Sequence, residues 1–298
     1  MILALRALGV GDLATAVPAL RGLRAAFPGD PLALAAPAWL APLAGQIGAV
    51  RRLVPTAGLD EPLAVRSPPA IAVNLHGRGP QSHELLRATG PGKLWAFETD
   101  GGPSWTDEEH EVRRWCRLLE HFGVPADPDD LDLTVPDVAV PHGVTILHPG
   151  AKSPSRRWPP ERFAAVARSL RSAGHHVVIT GSAAEQPLCV RLAAAAGLGG
   201  DAVLSTGMAE LLALVAHARL LISGDTGIAH LATAYRTPSV VLFGPMSPAR
   251  WGPPPSRPYH RVIWHGTRSE RGDSSDPGVH PALLKVSVDE VLAAASPF

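Results

Sequence analysis

The chain has 298 residues, enough for two domains of ordinary size, and 46% of them are hydrophobic, so it can bury a sizeable core. Lys and Arg together number 27, as do Asp and Glu, so the formal net charge is zero and no clustered basic face argues for nucleic acid. The two cysteines, Cys116 and Cys189, share no metal or redox spacing and read as buried thiols in a reducing cytoplasm.

Ile2–Leu5 predicts a short buried strand, followed by a glycine-containing loop over 6–12 and a helix over 13–27 that Pro18 would kink. The start has no convincing targeting signal, because Arg6 interrupts its apolar run and no small-residue cleavage site follows. Asp12 falls where this strand gives way to the helix. It is either an N-cap, worth roughly 1 kcal/mol, or a carboxylate presented at the mouth of a cleft, and GxGD alone does not separate the two. Residues 31–50 are uncharged over a length that could cross a membrane, but their prolines and glycines predict instead a strand, Leu32–Ala36, and a short helix. Further strands are expected over 50–54 and 70–75. The second runs into Asn74, His76 and Arg78 in a glycine-rich turn, before a helix that begins near Ser82. Residues 93–102 read as a loop, and 107–122 as a strongly amphipathic helix led by acidic residues and stopped by Gly123. A lone His110 in its first turns is more often a surface or packing residue than a catalytic one.

Residues 125–141 are rich in Pro and Asp without helical period and predict the domain linker. The pattern then restarts, with strands over 143–147, 176–180 and Val203–Leu204 and helices over 160–173, 184–196 and 208–218. The best-defined unit comes last. A strand over 220–223 runs into Gly224-Asp225-Thr226-Gly227, a helix over 228–235 carries His230 one turn in, and a second strand, Ser239–Phe243, follows. A helix N-terminus at the carboxyl end of a strand favours an anion, typically phosphate; a plain capping loop would look the same from spacing alone.

Strand after strand ends in a loop of glycines and hydrogen-bonding groups: RALGVGD, NLHGRG, HPGAKS, TGS, SGDTG and FGP. Ligands of open parallel sheets bind just beyond such strand ends. Two Rossmann-like α/β domains with a cleft between them follow as the expectation. Neither half has a strict G-x-G-x-x-G, and there is no Walker P-loop and no G-x-S-x-G elbow. The 13 histidines are scattered, and no ligand set points to a metal.

Five segments, GVGDLATAVPALRGLR, HEVRRWCRLLEHFGV, HPGAKSPSRRWPPERFAAVA, TGMAELLALVAHARLLISGDTGIAHLATA and SVVLFGPMSPARWGP, resemble in order the ADP-heptose:lipopolysaccharide heptosyltransferases, glycosyltransferase family 9. The resemblance implies the GT-B fold: an acceptor-side domain over 1–140, a nucleotide-sugar domain over 141–280, and a C-terminal helix over 281–298, carrying VSVDEVLAAA, that crosses back onto the first domain. It implies Asp12 as general base, with Gly11, Asn74, His76 and Arg78 on the acceptor side. Arg156 takes the place of a family lysine on the donor diphosphate, with Lys152, Ser153 and Arg157 close by. Glu210 stands 15 residues before Asp225 and would approach the ribose, and Asp225, Thr226, Gly227 and His230 would surround the donor sugar and phosphates. Asn74 and His76 depart from the Asp and Gln the family often has, and the polar loop over 268–281 lacks the cysteines many members carry.

The chemistry expected is inverting, metal-independent transfer from a nucleotide-sugar, most plausibly ADP-heptose, with no cofactor, to a glycan or small-molecule glycoside. A cytoplasmic protein with at most peripheral membrane contact and no nucleic-acid partner goes with it. A UDP-sugar donor, an epimerase of the same fold using His76 or His110 as a second acid–base group, and a non-catalytic sugar-nucleotide module are the alternatives.

Overall fold

The computed structural model describes residues 1–268 and 278–298, so part of the polar loop over 268–281 lies outside the described residues. The chain divides into two compact units, Met1–Thr134 and Val135–Phe298, and the division falls inside the stretch of Pro and Asp expected to be the linker.

The first unit contains strands β1 Ile2–Leu5, β2 Leu32–Ala36, β3 Arg52–Pro55, β4 Ile71–Asn74 and β5 Lys93–Trp95, with helices α1 Val10–Thr15, α2 Val17–Ala26, α3 Ala41–Gln46, α4 Gln81–Arg87 and α5 Glu111–His121. The strands form a parallel sheet in the order β3-β2-β1-β4-β5. Its central strands are buried along their whole length, as expected of a parallel sheet covered on both faces. One predicted helix is two. Pro18 cannot donate a backbone N–H, so the chain breaks at Ala16 and restarts, while the first helix begins earlier than expected, at Val10. Asp12 therefore lies inside α1 with Gly9 as the N-cap. The strand β5 is three residues long and begins with an exposed Lys93, which hid it in a stretch read as loop.

The second unit contains β6 Thr145–His148, β7 Val177–Thr180, β8 Val203–Leu204, β9 Leu220–Gly224, β10 Ser239–Phe243 and β11 His260–Trp264, again all parallel, in the order β11-β10-β9-β6-β7-β8. Its helices are α6 Pro160–Ser172, α7 Gln186–Ala196, α8 Met208–Ala216, α9 Gly227–Ala234, α10 Pro248–Trp251, α11 Pro281–Lys285 and α12 Val288–Ala295. The order reverses at β6, which pairs with β7 on one side and β9 on the other; such a reversal is where open α/β sheets bind ligands. The edge strand β11 has a mixed, half-exposed pattern and gave no strand signal in the sequence.

In residues 281–298, α12 packs against α6, β10 and β11 of the second unit. The cause is its apolar face: Val291 and Ala295 join Leu220, Val240 and Leu242 in one core cluster. The buried Trp158 indole also donates to the Val286 carbonyl at 3.1 Å, which ties the tail to the start of α6. No helix among the described residues is long and apolar enough to cross a membrane.

Candidate active site

In the first unit the polar residues gather at the carboxyl end of β1 and β4. Arg6 leaves β1 fully buried, and a buried guanidinium requires partners all round. Its Nε donates to the Asp12 carbonyl at 2.9 Å, and Nη2 reaches the Glu111 carboxylate at 3.0 Å, the Thr15 hydroxyl at 3.3 Å and Asp12 Oδ1 at 3.5 Å. It also donates to the Leu75 carbonyl and lies 4.6 Å from the centre of the Trp115 ring. Glu111 is buried, and its carboxylate accepts in addition from Arg114 and from the Trp115 indole at 3.1 Å. Asp12 is the partly open member of this set, 29% of its side chain being exposed, and its Oδ2 accepts the Gly9 N–H at 3.1 Å. The carboxylate is thus oriented by α1 and by Arg6 while one side still meets solvent.

His76 stands at the same end. Its Nδ1 accepts the Ala7 N–H at 3.2 Å, which leaves Nε2 to carry the proton of the neutral ring. Burial, reinforced by Arg6 and opposed by Asp12, lowers its pKa to about 4. Asn74 is not a group that could touch an acceptor. It is fully buried, its amide donates to the Gly77 carbonyl at 3.0 Å and the Ser82 hydroxyl at 2.9 Å, and its carbonyl accepts the His76 N–H at 3.0 Å. Its work is to shape the turn that presents His76. Gly11 is buried within α1, and Arg78 is exposed at the turn. His110 is the N-cap of α5, accepting from Val112 N–H at 3.3 Å.

In the second unit the reversal at β6 brings the loop after β6 to the loop after β9. Arg156 Nη1 and Asp225 Oδ2 are 3.3 Å apart, the aspartate buried and the arginine a quarter exposed. The approach depends on Gly224, where a Cβ would come within 3.0 Å of the Arg156 carbonyl. Thr226 is the N-cap of α9 but makes no side-chain capping bond, and its hydroxyl is buried without a hydrogen-bond partner. Gly227 opens the helix, and the His230 ring lies 5.9 Å from that of Trp251. The first turn of α9 therefore offers uncapped N–H groups and an idle hydroxyl beside a guanidinium, which is what an anion needs.

Ser153 Oγ lies 2.8 Å from Ser155 Oγ. Lys152 and Arg157 line a separate groove of about 590 Å³ together with Arg191 and Glu185. Glu210 caps α8 by accepting the Gly207 N–H at 2.7 Å and borders a cleft of about 220 Å³ that includes Ser205, Thr206 and residues 139–141. No three His, Cys, Asp or Glu side chains come together as a metal would require, among the described residues. Arg6 and Glu111 were missed in the sequence. Part of the signal was present, because a charged residue directly after an apolar strand and an acidic one within a helix's apolar stripe each point to a buried charge that needs a partner.

Two parallel sheets with ligand-type loops at their strand ends make this an α/β protein of two Rossmann-like units. The model of glycosyltransferase family 9 (heptosyltransferase) matches residues 104–275, more than half the chain, and the protein belongs to that family. Lipopolysaccharide heptosyltransferase 2 of Escherichia coli K12 is 30% identical over 152 residues. That match takes in 48% of this chain, and the chain spans 43% of the length of that relative. Among solved structures, E. coli ADP-heptose lipopolysaccharide heptosyltransferase II matches with a TM-score of 0.78 and 21% identity, over 99% of this chain and 97% of that one. An E. coli heptosyltransferase solved with ADP matches with a TM-score of 0.72 and 16% identity, over 99% of both chains.

Proposed function

We propose that the protein transfers a sugar, a heptose, from an ADP-sugar to a hydroxyl of a glycan or small glycoside, with inversion and without a metal. One observation carries the donor half of this reading: the unpartnered Thr226 hydroxyl at the uncapped start of α9, beside the Arg156–Asp225 pair. The diphosphate takes the N–H groups of that turn and the Arg156 guanidinium, Glu210 meets the ribose, and the cleft beside it takes the base. Asp12 accepts the proton of the attacking hydroxyl. The new bond forms from that oxygen to the anomeric carbon as the carbon–oxygen bond to the diphosphate breaks, and ADP departs with its electron pair. One displacement at one carbon inverts it. The ADP moiety is supported by family membership and by the ADP in the E. coli enzyme of the same fold.

A panel of ADP-, UDP- and GDP-sugars in a thermal-unfolding assay tests the donor. Stabilisation by the ADP compounds alone is expected; stabilisation by UDP-sugars alone moves the assignment, and by none sinks it. With donor and no acceptor, the sugar is expected unchanged, whereas its conversion would make the protein an epimerase. EDTA is expected to leave turnover intact, and a loss restored by added metal overturns the metal-free part. The reaction takes place in the cytoplasm, in keeping with Cys116 and Cys189 as buried free thiols.

A further inference from the structure

We propose that Trp39 is a stacking platform for a sugar ring of the acceptor, and this rests on the transfer reading above. Trp39 is 54% exposed, whereas Trp95, Trp115 and Trp158 are each 7% or less. Leaving an indole in water forgoes one of the largest burial gains any side chain offers, so an exposed one on a built surface calls for an occupant. It makes none of the ring–ring contacts that engage Trp95, Trp105, Trp115, Trp158 and Trp251, among the described residues.

Its position gives the occupant. Trp39 lies in a single 3-10 turn, residues 38–40, that leaves the carboxyl end of β2. β2 is hydrogen-bonded to β1, and the ladder runs on into the loop, where the Arg6 N–H donates to the Ala35 carbonyl at 2.9 Å. The turn carrying Trp39 and the loop leading to Asp12 therefore leave the same edge of the sheet from neighbouring strands, about 4.8 Å apart. The turn is anchored: Pro37 and Leu40 are buried and the Leu40 N–H donates to the Pro37 carbonyl at 3.0 Å. Ala38 and Ala41 beside it are small and exposed and do not screen the indole. Residues 31–50 carry no charge, so this part of the edge offers an aromatic face with nothing to hold a phosphate or carboxylate. The ring face of a pyranose, with its row of weakly positive C–H groups, is the complement of an indole face, and its hydroxyls stay free at the rim for polar groups such as Asp12.

The test reads the indole Nε1–H signals of the full-length protein by nitrogen-15 NMR, with Trp39 assigned by its loss in Trp39→Phe. The probes are ADP, deacylated heptose-bearing core oligosaccharide from E. coli, and vesicles of phosphatidylethanolamine and phosphatidylglycerol. The oligosaccharide is expected to move the Trp39 signal, and Trp39→Ala to weaken its binding about tenfold, with Trp39→Phe between the two. ADP-induced stabilisation is expected to be the same in all three proteins. The platform is overturned if the oligosaccharide moves other signals and leaves Trp39 untouched, if it does not bind, or if vesicles alone move Trp39. ADP stabilisation of the wild type reads the transfer proposal separately: retained while Trp39 stays silent, it rejects the platform alone, and absent while Trp39 responds, it rejects the donor reading alone.

Discussion

Asp12 owes its orientation to two neighbours of different kinds. The Gly9 N–H fixes Oδ2, and Arg6 holds the backbone carbonyl and faces Oδ1. If this carboxylate is the base, Asp12→Asn keeps the Gly9 contact and the fold but accepts no proton. Turnover is expected to fall by 10²–10⁴ while ADP-induced stabilisation remains, because general base catalysis is worth about that much; equal turnover in the two proteins would remove Asp12 from the mechanism. Arg6 makes a different prediction. Arg6→Met takes a cation away from the buried Glu111 and donors away from the Leu75 and Asp12 carbonyls. Breaking a buried pair costs roughly 3–5 kcal/mol, and Arg114 and Trp115 remain on Glu111 to offset part of it. A drop of several degrees in Tm is expected, with Arg6→Lys between, and an unchanged Tm would show that the network carries no net stability. Across the chain at β6, Arg156→Met is expected to weaken ADP binding at least tenfold, as loss of a charge-assisted bond to a phosphate should, with isothermal titration as the readout.

At the level of elements, packing geometry decides what the sequence could reveal. The buried parallel strands β1, β2, β6, β7, β9 and β10 read as short apolar runs, and their bounds came out within a residue or two because burial on both faces leaves nothing else for such runs to do. The strands β5 and β11 sit at sheet edges, where one side is open to water, and their mixed residues carried no such signal. The loop between β9 and α9 was legible because Asp225, Thr226 and Gly227 are contiguous. For Arg6 and Glu111 the sequence showed two buried charges but not that they pair, because 105 residues separate them and only the fold brings them together. Trp39 was hidden for the opposite reason, since an aromatic residue in an apolar segment predicts burial. Close approaches of backbone to backbone are also invisible beforehand. Gly22, in α2, faces the chain that follows α5, and a Cβ there would stand 2.8 Å from the Pro125 carbonyl. Gly22→Ala should gain about 1 kcal/mol of helix propensity and lose more to the clash. A lowered Tm is the expected outcome, and a raised one would mean that the 125–126 segment gives way without cost.

Over the whole molecule, each unit has a sheet and a core of its own, and the tail of the chain belongs to the second. That unit also contains a titrating element. His260 is buried at the start of β11, hydrogen-bonded through Nδ1 to the Ser239 hydroxyl at 2.7 Å, and burial followed by the nearby Arg257 lowers its pKa to about 4. An unfolded histidine titrates near 6.5, so between pH 6.5 and 4 the unfolded state takes up a proton that the folded state refuses. Stability should fall as pH falls through that window, by about 3 kcal/mol for this residue, and be insensitive to it above pH 6.5. His260→Asn keeps an acceptor near Ser239 and cannot titrate, so its Tm should depend less on pH from 6.5 to 4; an unchanged slope would place the acid sensitivity elsewhere, His76 being the next group to test. The same independence of cores leads to a larger expectation. Every group assigned to the donor, from Arg156 to His230, lies within residues 135–298, and so does α12, which completes the core around Trp158. A protein of residues 135–298 should therefore fold and be stabilised by ADP with nothing from the first unit, by about 2.7 kcal/mol at a hundredfold excess over Kd. The same fragment with Arg156→Met should fold and lose most of that gain. If the fragment folds and ADP leaves its Tm unchanged while raising that of the full chain, the donor seat needs residues of the first unit, and the division of labour argued from Asp12 and Asp225 fails.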